Sequence, residues 1–298
     1  MTGPTPSGPV PAAATPGATT PGGATGTAVR PAGYSSPLPT PRPHLGHALA
    51  SEWTKLVSVR STLWTLGSLV VVVVGIGLLF VAQSSDRDYI GLTFATPALF
   101  GLLVGQIAVM VLGVLTITSE HATGLVRTTF TAAPERHRVL TAKYLVFSAT
   151  AFTVVSAAVF VVGLAGQIVH GGSAAGAHPA NEWSGALLGS LYVTLLGILA
   201  LAVGALIRHS AGAIAVMLGF VTLPPVIGAM LNIWEAAAPT GQVILEHNAP
   251  VALMTLFGMQ ESDVSLDMPG PGIHMLVILV VTGAAVIASY LTVGRRDV

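Results

Sequence analysis

Six stretches of this chain are almost wholly apolar and contain no Asp, Glu, Lys or Arg: Trp64–Ala82, Pro97–Thr118, Tyr144–Val169, Gly185–Ile207, Ala211–Leu231 and Ile273–Val293. Each is long enough for a helix to cross a hydrocarbon core of ~30 Å, which takes about 20 residues. Backbone in lipid must satisfy its own hydrogen bonds, so an isolated apolar segment of this length has one stable form, the helix. The expected fold is therefore an all-α integral membrane protein with six transmembrane helices.

Charge then orients the bundle. With both termini on one side, 11 of the 12 Lys and Arg residues fall on that side: Arg30, Arg42, Lys55, Arg60, Arg127, Arg136, Arg138, Lys143, Arg208, Arg295 and Arg296. Only Arg87 falls on the other. Cytoplasmic loops attract Lys and Arg, so the expected location is the cell (plasma) membrane, multi-pass, with both termini cytoplasmic.

Composition narrows the chemistry. The chain is 52% hydrophobic and 8% charged, against roughly 25% charge in soluble domains. Its formal net charge is zero, which gives no attraction for a polyanion, so no nucleic-acid partner is expected. With no cysteine, disulfides, thiolate metal sites and thiol nucleophiles are excluded. The first apolar run begins near Trp64, so the first span is expected to stay as an anchor.

Residues 1–43 hold 11 of the 20 prolines, with Gly, Ala, Thr and Ser filling most of the rest. Such a segment buries too little apolar surface to offset its ordering entropy and is expected to be a disordered cytoplasmic tail. Residues 44–298 form the six-span domain. Its first part, Leu45–Leu63, repeats Leu45, Leu49, Leu56, Val59 and Leu63 at helical spacing, with His47, Ser51, Thr54 and Ser58 opposite. This predicts an amphipathic helix in the interface, with Trp53 at headgroup depth and Lys55 and Arg60 near anionic lipid. Glu52 projects from the apolar stripe. Either it snorkels to water, or it turns inward and pairs with a basic group, since an unpaired buried carboxylate costs several kcal/mol.

Polar groups at membrane depth are few. Gln106 and Gln167 are expected to bond between helices. Pro224–Pro225 removes two backbone donors within the fifth span and predicts a kink. Between the fifth and sixth spans, Val243–Met259 is apolar but broken by Glu246, His247, Asn248 and Pro250, which suggests an interfacial or re-entrant helix pair. The histidine pairs His44 with His47 and His121 with His137 lack carboxylates beside them, and no metal site is expected. No zinc-protease pair, paired intramembrane aspartates or serine motif stands in a credible setting, so no catalytic residue is expected.

The segment Ser119–Lys143, SEHATGLVRTTFTAAPERHRVLTAK, is too long for a hairpin turn. Glu120, Gly124 and Arg127 fall on one helical face by spacing. Pro134 breaks that helix and suits the first turn of another carrying Arg136, His137, Arg138 and Lys143. A short charged helix pointing out of the membrane suits docking on a cytoplasmic partner; alternatively, its charges only enforce topology.

Three stretches, EWTKLVSVRSTLWT, LGVLTITSEHATGLVRTTFTAAPERHRVLTAKY and ALAVGALIRHSAGAI, resemble the membrane subunits of type 2 ATP-binding-cassette exporters, of the actinobacterial group. The resemblance covers Leu45 to the C-terminus. It implies a connecting helix at Leu45–Leu63 (with Glu52, Trp53, Lys55 and Arg60), and a coupling helix between spans two and three that docks on a separate ATPase subunit. Glu120, Gly124, Arg127, Pro134, Arg136 and Arg138 would form that coupling region. It also implies a second permease copy or relative, and an outer helical cap at Asn232–Gly272. No GxxxxGK[ST] phosphate loop occurs in the chain, so no cofactor is expected here, and ATP and Mg would belong to the partner ATPase. The tight inner turn around Arg208, flanked by Gly204 and Gly212, is expected to let spans four and five pack closely. The expected role is thus a non-enzymatic permease exporting a hydrophobic or amphipathic cargo. A stand-alone secondary carrier and a non-transport scaffold or sensor subunit are the alternatives.

Overall fold

Each apolar stretch becomes one long helix. A computed structural model of the chain describes residues 44–87, 89, 92–124, 136–170, 180–259 and 269–295. The expected disordered tail, Arg127 and Pro134 lie outside the described residues, as do residues 171–179 and 260–268 of the two connections expected on the outer side. Nine helices occur among the described residues: α1 (Leu45–Ser58), α2 (Arg60–Gln83), α3 (Thr96–Thr123), α4 (Arg136–His170), α5 (Ala180–Ile207), α6 (Ser210–Leu231), α7 (Ala238–Glu246), α8 (Ala249–Leu256) and α9 (Pro271–Arg295). Six of them, α2 to α6 and α9, are long and apolar enough to cross a membrane.

The helices outrun the apolar stretches that nucleate them. α3 continues past Thr118 to Thr123, and α4 begins at Arg136, ahead of Tyr144. Glu120 and Lys143, expected on two short helices of the connecting segment, lie instead on the extended ends of α3 and α4. The helix expected to carry Glu120, Gly124 and Arg127 on one face stops at Thr123. Gly124 takes φ 72° and caps it, donating to the His121 carbonyl at 3.3 Å. Glycine enters this left-handed region without the Cβ penalty, so it ends the helix rather than continuing a face.

The single helix expected over Leu45–Leu63 is likewise two. Val59, at φ −82° and ψ 116°, is extended and separates α1 from α2. α1 packs on α4 and, less, on α2. Trp53 and Leu45 keep exposed faces, as the amphipathic pattern requires.

α3 and α5 form the centre. In the most apolar window of α5, 72% of residues are buried, and in that of α3 61%, against 17% in α6 and in α9. Gly113 explains the close approach of the two central helices: a Cβ there would collide with the Gly197 carbonyl of α5. Lipid is as apolar as leucine, so such small-residue contacts and packing, not hydrophobicity, choose helix neighbours. Phe147, Val109 and Leu201 fill the space around this crossing. α4 and α9 are tied by hydroxyl pairs, Tyr144 to Ser289 at 2.9 Å and Thr141 to Tyr290 at 2.8 Å.

Two ends of the bundle follow. At the start of α3, Thr93 donates from Oγ1 to the Phe257 carbonyl at 2.6 Å. Asn248 caps α8, accepting from the Val251 amide at 2.9 Å. α7 and α8 form the helix pair expected between spans five and six. At the other end, Arg208 links α5 to α6 in the left-handed region, φ 57°. That position costs a non-glycine residue about 1–2 kcal/mol. His209 accepts the Gly212 amide at Nδ1, 3.0 Å, and so caps α6. α6 runs through Pro224 and Pro225 as one helix.

Candidate functional site: a buried ion quartet

The charges that the sequence disperses along the chain meet at the end of the bundle where α3 stops and α4 starts. α1 supplies Glu52 and Lys55, α3 supplies Glu120 and α4 supplies Lys143. Lys143 Nζ donates to Glu52 Oε2 at 2.6 Å, to Glu120 Oε1 at 2.8 Å and to the Thr116 carbonyl at 3.4 Å. Lys55 Nζ donates to Glu52 Oε1 at 2.7 Å and to Glu120 Oε1 at 3.1 Å. Glu52 thus gives one oxygen to each lysine, while one oxygen of Glu120 receives both. The inward orientation of Glu52 is the one adopted.

Burial is steep across the set. The Lys143 and Glu52 side chains are 4% exposed, Glu120 12% and Lys55 26%. Taking an ion from water costs several kcal/mol, and only pairing with good geometry offsets it. Here two carboxylates and two ammonium groups alternate, so the buried net charge is zero and all three Nζ protons of Lys143 have acceptors. At Lys55 burial alone would lower the ammonium pKa. Hydrogen bonds from Nζ to Glu52 and Glu120, and their charges, outweigh burial and hold it above the ordinary lysine value.

The local sequence explains how each group arrives. Glu52 lies four residues before Leu56, the other buried residue of α1, so both share the face that α1 turns inward. Lys55 follows at i+3 and closes over it. Glu120 lies on the last turn of α3, where the hydroxyls of Thr116, Thr118, Ser119 and Thr123 bond back to carbonyls of their own helix. A cavity of about 230 Å³ opens beside the quartet, lined by Glu52, Lys55, Thr116, Glu120, Thr123 and Lys143.

Other expected residues stand apart. Trp53 is half exposed beside the quartet, Arg60 is exposed at the start of α2, and Arg138 is exposed near the start of α4. Arg136 begins α4. Arg208 sits at the α5–α6 turn, with its Nε buried and unpartnered among the described residues. Gln106 bonds its own helix, Nε2 to the Leu103 carbonyl at 2.9 Å, not a neighbouring helix. The residue that sequence reasoning left out of the site is Lys143. Its signal was available, a lone lysine directly ahead of a long apolar run, but nothing local distinguishes a snorkelling lysine from a buried one.

Among the described residues there is no group of three or more His, Cys, Asp or Glu placed to hold a metal ion. The quartet presents no free nucleophile. What it can do is mechanical: it clamps the amphipathic helix to the ends of α3 and α4. No protein-family model and no curated protein matched the chain in comparisons with known proteins.

Proposed function

We propose that this chain is the permease subunit of a type 2 ATP-binding-cassette exporter, working with a separate ATPase subunit and a second permease copy. Its cargo is a hydrophobic or amphipathic small molecule, drug or lipid. The ion quartet carries this reading. The chain between α3 and α4 is where a motor would dock, and its two anchor points are Glu120 and Lys143, 2.8 Å apart. Displacing Lys143 from both carboxylates would strand buried charge, at several kcal/mol. Motion imposed on the 125–135 segment would therefore move α1, α3 and α4 together rather than bend one of them. α3 is central to the bundle, so this motion reaches the transport path. The basic end faces the cytoplasm by the charge bias, on the side where ATP is available. ATP and Mg reside in the partner, and this chain supplies the lever.

The natural absence of cysteine makes the test direct. Single cysteines at Thr123, Thr128 and Thr131 are crosslinked in cells, and the captured protein is identified by mass spectrometry. The expected result is a Walker-motif ATPase at these sites and not at a control cysteine at Ser262. Crosslinks between permease copies without any ATPase would overturn the reading.

A further inference from the structure

A second polar feature lies at the opposite end of α3 from the quartet, and the coupling mechanism does not use it. His274, near the start of α9, is 3% exposed. Nε2 is buried with no partner among the described residues, and with the ring neutral and its proton on Nδ1 it is a bare acceptor. A buried acceptor without a donor is unfavourable, a cost that a ligand donor would remove.

This ring lines a cavity of about 160 Å³ between α5, α6, α8 and α9, with Tyr192, Phe220, Pro224, Ile278 and His247 around it. His247 lies across it, ring centroids 6.0 Å apart. Its Nδ1 engages the Val243 carbonyl at 2.9 Å, so its Nε2 is likewise an acceptor in the neutral ring. Asn248 is already spent on the cap of α8 and on the Leu245 carbonyl. The remaining walls are apolar, and Phe220, Val277 and Val281 keep exposed surface on the outward faces of α6 and α9. The cavity therefore communicates with the lipid side. A few fixed polar groups in an apolar concavity are the usual make-up of a small-molecule site.

We infer that this cavity binds a membrane-dissolved alcohol, its hydroxyl donating to His274 Nε2 and its aliphatic body lying along Phe220, Pro224 and Ile278. Among the described residues the lining carries no carboxylate, so an ammonium head would meet no counter-charge there, whereas a neutral hydroxyl needs none. Two imidazoles with no third ligand among the described residues do not make a metal site.

The test uses the full chain in phosphatidylcholine nanodiscs and a diazirine-bearing octanol as photolabel, with adducts mapped by mass spectrometry. Adducts are expected at Ile278 and Phe220, saturable and competed by 1-octanol but not by methyl octyl ether, which has no donor. His274→Phe keeps a ring and removes the acceptor. Labelling should fall about tenfold, the effect expected of one net hydrogen bond. Ile278→Trp fills the cavity while leaving both histidines in place, and should abolish the saturable adducts. Equal competition by the ether would overturn the inference. So would adducts spread without saturation over Val216, Leu223 and Val280 in both the parent and the Ile278→Trp protein.

Discussion

Lys143 makes a residue-scale prediction because every proton on its Nζ is in use. Lys143→Met leaves Glu52 and Glu120 to share Lys55 alone, with one buried negative charge uncompensated, and should cost about 3–5 kcal/mol. Glu52→Gln together with Lys143→Met removes one charge of each sign, so the double variant should lose less than the two single losses summed. Thermal unfolding of the four proteins in detergent gives the cycle; strict additivity would mean that the pair is not coupled. Lys55 is more exposed and should matter less at neutral pH, within about 1 kcal/mol. Its folded-state pKa lies above the unfolded value, so its contribution is fully present below the ordinary lysine pKa and is lost as pH rises through the raised one. Trp53, two residues away on α1, reports this. Its fluorescence should hold steady through neutral and mildly alkaline pH and change only above the ordinary lysine value. A midpoint below that value would contradict the bonding described for Lys55. Glu52 shows how far such detail can be read from residues alone. That a carboxylate stood in an apolar stripe was visible; its partner, 91 positions away in the chain, was not.

At the scale of elements, the α3–α5 crossing rests on a glycine facing a backbone carbonyl. Gly113→Val should push the helices apart and destabilise by about 1–3 kcal/mol or more. Gly75→Val, at an α2 glycine where nothing lies within 4 Å of an added Cβ, serves as the comparison and should unfold close to the parent temperature. Equal loss in both would relocate the critical contact. The element boundaries that hydropathy misplaced share a physical origin. Hydropathy reports transfer to lipid, which says where a helix must be but not where it ends. Gly124 ends α3 through its backbone conformation. Val59 divides α1 from α2 with no glycine or proline to mark the bend, because α1 packs across α4 while α2 follows the bundle. Gln106 bonds the Leu103 carbonyl of its own helix, and its Oε1 is buried without a partner among the described residues, a pairing that hydropathy does not report.

For the whole molecule, the proposed coupling route makes Glu120 the test. Glu120→Gln keeps the shape and one acceptor oxygen but removes the charge that holds both lysines. Transport-coupled ATPase activity of the assembled complex should fall severalfold, while ATP hydrolysis by the isolated motor stays unchanged. Loss of the chain from the membrane would instead mark Glu120 as structural, and unchanged coupling would remove it from the proposed route. The division between what was legible and what was not follows the range of the forces. Span number and the amphipathic segment at the N-terminal edge of the bundle were determined by the sequence itself, because transfer to lipid is summed locally over about 20 consecutive residues. The charge bias was equally visible in the chain. Only the tertiary structure decided that α3 and α5 lie at the centre, that Glu52 turns inward to Lys143, and that His274 faces an apolar cavity. Those outcomes depend on which surfaces meet laterally, and between helices of equal hydrophobicity that choice is made by a missing Cβ, a hydroxyl pair or a buried charge finding its counterion.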